Sequence, residues 1–451
     1  MAKLSRRQFA SGLLAAAAGM GVAGQPDNLM AAVRAQADDR LAARDVILTW
    51  YRLVLELVRH TPTYSPPVAS RAFAYLGVTG WEALAGTTPG LVSLAGQLNG
   101  LTAMPVPDAG VACDETAMLN AALATAVAQF FSNTGPTGQR AIRKMTERLT
   151  AQAARGADAG SVAAGVTRGK AVSAHILAWS MTDGGAVVEN MGFPLAYTLS
   201  REPGHWVPTN LVQQQQLPLL PGWGSNRTFA MPSGTSCGLP PPPAYSEAPG
   251  SAFYREAEEV RDAVARLTPE QRAIARFWSD DPMLSPTPPG HWLSIAMQIA
   301  DRDRIDAITI CEVLTRLGIT LADAFIGCWD AKYRYDLIRP ITYIRKVMDP
   351  SFEPILNTPP FPEYPSGHST QSGAAETVLT RVFGESFVFE DATHAADGIP
   401  PRRFVSFKAA AEEAGISRLY GGIHFRSAIE RGLEQGRCIG AHAAALKMRA
   451  A

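Results

Sequence analysis

The sequence predicts an all-α protein: two helical bundles joined by a long irregular covering segment. Three observations point there. Apolar residues recur at three- and four-residue spacings through most of the chain, the mark of helices with one buried face, and the alternation expected of strands is almost absent. Residues 183–249 break this rhythm with Pro, Gly, Gln and Ser, and end in Leu239-Pro240-Pro241-Pro242-Pro243. The length is 451 residues, 47% hydrophobic and 18% charged, which is enough to bury one large core or two.

Residues 40–59 place Leu, Val, Ile and Trp on one helical face, and 68–85, 115–131, 138–155 and 162–181 repeat the pattern, so 38–182 form the first bundle. The region 183–250 is too long for a simple connector and is expected to lie as an ordered cover over the helices. Helical spacing resumes at 251–267 and 269–280, with Thr268 placed to cap the second of these. It continues at 291–302, 305–335, 369–383, 404–417 and 424–448, making 251–451 the second bundle. Gly432, Gly436 and Gly440 lie four apart on the last helix, a stripe that lets another helix approach closely.

The first 37 residues read differently. Ser5-Arg6-Arg7-Gln8-Phe9 is a twin-arginine pattern, an Ala/Gly/Leu-rich run follows, and Ala35-Gln36-Ala37 offers a cleavage site. This predicts a twin-arginine export signal and a periplasmic or secreted protein. The apolar run is too short and too weakly hydrophobic for a lasting membrane span, and no uncharged 18-residue apolar run follows it.

Basic and acidic residues number 41 each, so no global charge favours nucleic acid or an anionic membrane, and any anion site is local. None of the five cysteines forms a C-x-x-C pair, so neither a zinc site nor a redox motif is indicated. Cys113 and Cys237 lie in loop-like sequence and are candidates for pairing, whereas Cys311, Cys328 and Cys438 sit in apolar helical patterns. Gly234-Thr-Ser236-Cys-Gly238 matches G-x-S-x-G, but prolines follow it and no strand precedes it, against the needs of a serine hydrolase.

The chemistry concentrates in three places. Lys332 and Arg339 are seven apart, which two helical turns would bring to one face, with Pro340 ending the helix. Next, Pro365-Ser366-Gly367-His368 stands where a helix begins, so the Ser366 hydroxyl and the first backbone N–H groups face an anion at the positive end of the helix dipole. Finally, Arg418 and His424 flank Gly421-Gly422, a break that turns both side chains toward one point. Each element alone has an ordinary explanation: a solvated face, a capping serine, a glycine turn. Together they supply one Lys, two Arg, two His and a Ser, all of which favour a tetrahedral oxyanion.

K-x6-R-P, P-S-G-H and S-R-x5-H in this order resemble the signature of the superfamily joining type 2 phosphatidic acid phosphatases and vanadium-dependent haloperoxidases. The likeness extends to chloroperoxidase-like members through Trp329, Phe361 and the segment Phe277-Trp278-Ser279-Asp280-Asp281. The resemblance implies that Lys332, Arg339, Ser366, Gly367 and Arg418 hold the oxygens of vanadate and that His424 binds the vanadium. It further implies that His368 is the acid–base residue, that Lys332 polarises bound peroxide, that Phe361 and Trp329 shape the halide side, and that Asp281 braces Arg418. The implied partners are hydrogen peroxide, a halide and a small organic substrate, and oligomerisation is left open. The competing reading is an exported acid phosphatase working through phospho-His424, since phosphate fits the same site. Many members carry Asp four residues after the last His, where this chain has Ala428. That departure weighs mildly against an efficient phosphatase, whose nucleophilic histidine gains from a carboxylate, and is a caution about full haloperoxidase activity as well.

Overall fold

The computed structural model describes residues 41–105, 112–187, 197–209, 217–281 and 283–450; the twin-arginine stretch and the rest of 1–37 lie outside them. The first half contributes α1 (Ala43–Arg59), α2 (Pro66–Ala85), α3 (Glu115–Phe130), α4 (Pro136–Ala153) and α5 (Ala159–Ser180). The second contributes α6 (Ala252–Ala265), α7 (Pro269–Phe277), α8 (Thr287–Asp303), α9 (Ala307–Tyr335), α10 (Pro340–Val347), α11 (Gly367–Phe383), α12 (Phe407–Tyr420) and α13 (Arg426–Ala444). Starts follow capping chemistry. Asp114, Asp158, Ser251, Asp306 and Ser406 each accept a backbone N–H of the first turn, and Thr268 with Gln271 completes a capping box on α7.

The 29-residue α9 runs through the centre. Its contact with α2 is close enough that a Cβ on Gly77 would sit 2.8 Å from Thr315 Cα. A single apolar cluster extends from Val46 in α1 to Met448 beyond α13, so the two halves share one core. A smaller cluster, including Phe253, Ile344, Tyr364 and Phe425, underlies the region of the three motifs. No helix among the described residues is long and apolar enough to cross a membrane.

The structure corrects several expectations. Lys332 and Arg339 do not share a helix. α9 stops at Tyr335 because Asp336 turns left-handed (φ 46°), and Pro340 opens α10 rather than merely ending α9. Proline is at home there, since the first-turn N–H it lacks has no helical partner anyway. Two three-residue strands, β1 (Phe389–Asp391) and β2 (Arg402–Phe404), pair antiparallel; they are too short to leave an alternating pattern.

Cys237 bonds to Cys438, not to Cys113. Cys438 reads as a core position by periodicity, and only the packing of α13 shows that it faces the cover. The G-x-S-x-G serine is accounted for as well: Ser236 exchanges hydrogen bonds with Ser233 in a turn.

The glycine stripe of α13 lies against α11. A Cβ on Gly436 would come within 2.0 Å of the Thr370 carbonyl, and one on Gly432 within 2.9 Å of the Ser366 carbonyl. The two helices therefore meet backbone to backbone just where α11 begins. The described parts of 183–250 are anchored to the same end of the bundle. Three consecutive N–H groups, from Phe229, Ala230 and Met231, converge on the buried Asp323 carboxylate. Trp206 N–H donates to the Asp336 carbonyl and Ile338 N–H to that of Gly204, so the cover fixes the turn before Arg339. Leu219 receives the Trp329 indole N–H and donates its own N–H to Pro360.

Candidate active site

The site is assembled from residues that start or end helices, where backbone groups are unspent. Ser366 is the N-cap of α11: its hydroxyl accepts the Ser369 N–H at 3.3 Å and keeps its own proton to donate. Its backbone N–H is pinned to the Ala428 carbonyl of α13 at 3.0 Å. At Gly367 an added Cβ would meet nothing nearer than Trp329 at 3.8 Å, so the protein itself does not require glycine there. The space in front of the first N–H groups is left clear.

Three cations surround this helix end. Arg339, the N-cap of α10, donates Nε–H to the Phe361 carbonyl at 2.9 Å and Nη1–H to the Ile423 carbonyl at 3.0 Å. Its buried Nη2 has no partner. Arg418, in the last turn of α12, is held by the Ser417 hydroxyl at 2.9 Å and the Trp278 carbonyl at 2.5 Å. Lys332 gives its three ammonium protons to the carbonyls of Pro362, Glu363 and Pro365. It therefore reaches an anion only by releasing one of them. Burial lowers Lys332 to about 7, and lowers Arg339 and Arg418 to about 10 each. Burying three positive groups together is unfavourable, and a multiply charged anion offsets that cost.

Gly422 is left-handed (φ 78°) and breaks the chain after α12, so His424 turns back toward Arg339. His424 Nε2 lies 3.2 Å from Arg339 Nη1, and its Nδ1 lies 2.8 Å from Glu363 Oε1. A guanidinium can only donate, so Nε2 presents its lone pair and Nδ1 carries the proton given to Glu363. The same Oε1 also accepts the Phe425 N–H at 2.9 Å. Burial, with Arg339, Lys332 and Arg418 nearby, holds His424 well below the ordinary histidine range, so its ring is neutral. Burial pushes Glu363 up to about 8, against the pull of Arg339 and Lys332; Oε1 accepts in either protonation state. The carboxylate that Ala428 appeared to remove is thus supplied by Glu363, 61 residues before His424. Ala428 says nothing against either activity.

His368 begins α11 with its Nε2 buried and unpartnered. Burial and the Arg418 charge hold it well below the usual range, opposed by Asp280. Asp280 Oδ2 is 3.9 Å from His368 Nε2, and this carboxylate, not Asp281, belongs to the cluster. Among the described residues no ion pair joins Asp281 to Arg418; Asp281 is half-buried and acts on it only at longer range. The left-handed backbone at Asp280 (φ 49°) turns the first of the two aspartates inward. Phe361 and Trp329 pack with ring centroids 4.9 Å apart and planes tilted by 50°, and Lys332 Nζ lies 5.1 Å from the Phe361 centroid. Phe361, Gly367 and His368 are the partly exposed members, so the site opens on their side.

The family model for the VCPO second helical-bundle domain matches residues 312–451, which contain all three cations, the α11 start and His424. A solved bacterial vanadium-dependent iodoperoxidase is 38% identical with a TM-score of 0.79, over 88% of this chain and 96% of that one. The chain belongs to the vanadium-dependent haloperoxidases. Among these haloperoxidases, the vanadium chloroperoxidase of Curvularia inaequalis is 26% identical over 176 residues, a match spanning 32% of this chain and 29% of the fungal protein's length. A holo bacterial vanadium-dependent chloroperoxidase shares the fold at 16% identity, with a TM-score of 0.66 over 85% of this chain and 92% of that one.

The residues present fit the vanadate of a haloperoxidase. The unpartnered Arg339 Nη2 and His368 Nε2, the clear space at Gly367 and the unprotonated His424 Nε2, which faces Arg339 Nη1, all suit a tetrahedral oxyanion with one nitrogen ligand. Sequence reasoning missed Glu363, Asp280, His291, Asp391 and His394. Glu363 did leave a trace, as the single charge in the apolar, proline-rich run before the PSGH motif. The others left only ordinary residues on separate elements.

Proposed function

We propose that this haloperoxidase uses hydrogen peroxide to oxidise a halide to a hypohalous-acid equivalent, with vanadate held by Lys332, Arg339, Ser366, Gly367, Arg418 and His424. The observation that carries this reading is the unprotonated His424 Nε2, turned toward Arg339, whose Nη2 is unpartnered, by Glu363 behind it. Bound vanadate supplies a Lewis-acidic centre that activates peroxide toward a halide.

The chain does the rest. Arg339, Arg418 and the α11 amides neutralise and orient the oxyanion. Neutral His368 takes a proton from incoming peroxide and returns it to the leaving oxygen, a role its unprotonated ring and its place at the opening both suit. Lys332 adds positive charge beside the Phe361 and Trp329 rings, which exclude water on the side where a halide enters. Iodide is the halide to test first, because the 38%-identical relative is an iodoperoxidase.

Export by the twin-arginine route to the periplasm or medium is part of this proposal. Ser5-Arg6-Arg7-Gln8-Phe9 supports it, and so does the Cys237–Cys438 disulfide, which suits an oxidising compartment. The deciding experiment loads purified protein with orthovanadate, measures bound vanadium, and compares peroxide-dependent iodide and bromide oxidation with phosphate-ester hydrolysis. Halide oxidation that requires vanadium is expected. Rapid ester hydrolysis without vanadium binding would overturn the proposal in favour of the phosphatase.

A further inference from the structure

Behind His368 lies a set of buried ionisable groups that the proposed chemistry does not use. His291 of α8 is fully buried, with Nδ1 3.0 Å from each oxygen of Asp280 and Nε2 2.8 Å from Asp391 Oδ2. Asp391 ends β1, and its other oxygen accepts the Thr393 N–H at 3.0 Å and hydroxyl at 2.7 Å. His394 Nε2 reaches Asp280 Oδ1 at 3.3 Å, and the Trp278 ring stacks on His291 at 4.6 Å between centroids. The line Asp391–His291–Asp280 thus alternates in charge from β1 to the carboxylate that faces His368 at the opening of the site.

We propose that His291 and Asp391 are positioning residues for His368, fixing the Asp280 carboxylate in orientation and in charge where it faces the acid–base ring. This rests on the peroxidase reading of His368. Both nitrogens of His291 face carboxylate oxygens, so both carry protons and the ring is an imidazolium. Burial would lower its pKa, but the two aspartates push it up to about 10, and the same contacts hold Asp280 well below the carboxylate range despite its burial. His291 therefore cancels the Asp280 charge as His368 senses it, leaving burial and Arg418 to keep His368 neutral. Among the described residues only the rings of His368 and His394 otherwise stand within ion-pair distance of the Asp280–His291–Asp391 line, and His394 also faces Asp397, which pairs with Arg59.

Asp280, His291 and His394 have ligand atoms close enough for a metal ion. A metal would have to replace the proton between His291 and Asp280, which makes metal analysis a direct counter-test.

Nitrogen-15 NMR of histidine-labelled, vanadate-free wild-type protein reads the claim without any activity. His291 should show two slowly exchanging ring protons through about pH 9. A ring that titrates near 6.5, the ordinary histidine value, or one equivalent of zinc lost on H291Q, overturns the proposal. In vanadate-loaded enzyme, H291Q should lower kcat about 10-fold while vanadate affinity stays within about threefold. It should also move the His368 limb of the pH profile upward, because a nearby positive charge is gone; D280N should move it downward. Shifts in the same direction, or lost vanadate affinity with unchanged kcat, overturn it. D391N is the milder substitution should H291Q fail to fold, and the wild-type spectrum stands on its own. If wild-type enzyme oxidises no halide, the peroxidase reading fails while the spectrum still reports on His291, so the two failures are distinguishable.

Discussion

Glu363 Oε1 lies 2.8 Å from His424 Nδ1, and through this contact a residue of the proline-rich loop sets which nitrogen of the histidine proposed to bind vanadium carries the proton. Outer partners of metal-ligating histidines typically govern affinity by 10- to 100-fold. Gln at 363 can still accept the Nδ1 proton, so Glu363→Gln should weaken vanadate binding only about 10-fold. Glu363→Ala leaves the ring untethered and should cost about 100-fold. Titration calorimetry with orthovanadate checks both. Equal affinities for wild type and Glu363→Ala would show that the contact plays no part in ligation.

Two glycines near α11 should respond in opposite ways to alanine. At Gly367 a Cβ has ordinary contacts, the nearest at 3.8 Å, so Gly367→Ala should melt within a degree or two of wild type yet bind vanadate poorly, because the methyl enters the space reserved for the anion. At Gly436 a Cβ would overlap the Thr370 carbonyl at 2.0 Å, so Gly436→Ala should force α13 from α11 and destabilise the protein by about 1–3 kcal/mol or more. Thermal unfolding beside vanadate titration separates the two effects.

Anion affinity should depend on Lys332. Burial, with Arg339 beside it, lowers its pKa to about 7 in the anion-free protein. Below that pH the side chain is an ammonium and adds its charge to the cradle; above it the charge is lost. Binding of tungstate, whose own charge is constant across this range, should weaken as pH rises through about 7. Lys332→Met should bind more weakly at pH 6 and show a flatter profile. An identical profile in both proteins would mean that the three carbonyls never release the ammonium.

The Cys237–Cys438 bond closes a span of 201 residues and ties the cover to α13. Cross-links of this kind typically stabilise by about 2–4 kcal/mol. Cys438→Ser should lower the unfolding midpoint accordingly and speed proteolysis within 217–250. Unfolded, unreduced protein should show three titratable thiols, from Cys113, Cys311 and Cys328. Five would mean that the bond does not form.

Most of the architecture was legible in the chain. Helix periodicity placed the long elements within a few residues, because burial of one face every 3.6 residues is a local property. Thr268 and Ser366 announced helix starts by the same kind of local chemistry. The PSGH, K-x6-R and S-R-x5-H elements pointed to an oxyanion site only in combination, because each alone has an ordinary explanation and only their joint charge and donor set favours an anion.

What the linear order could not show were relationships between segments. Lys332 and Arg339 looked like one helical face, but Asp336 in a left-handed turn separates them, and they meet because the cover holds that turn from outside. Asp281 seemed the brace for Arg418, yet the backbone at Asp280 turned the neighbouring carboxylate inward. Ala428 suggested a missing carboxylate, and Glu363 supplied it from another loop. The residue types and spacings by themselves determined the helices and the oxyanion chemistry. Only tertiary packing decided which carboxylate serves which histidine, because a hydrogen bond depends on where two atoms stand in space and not on how far apart they are along the chain.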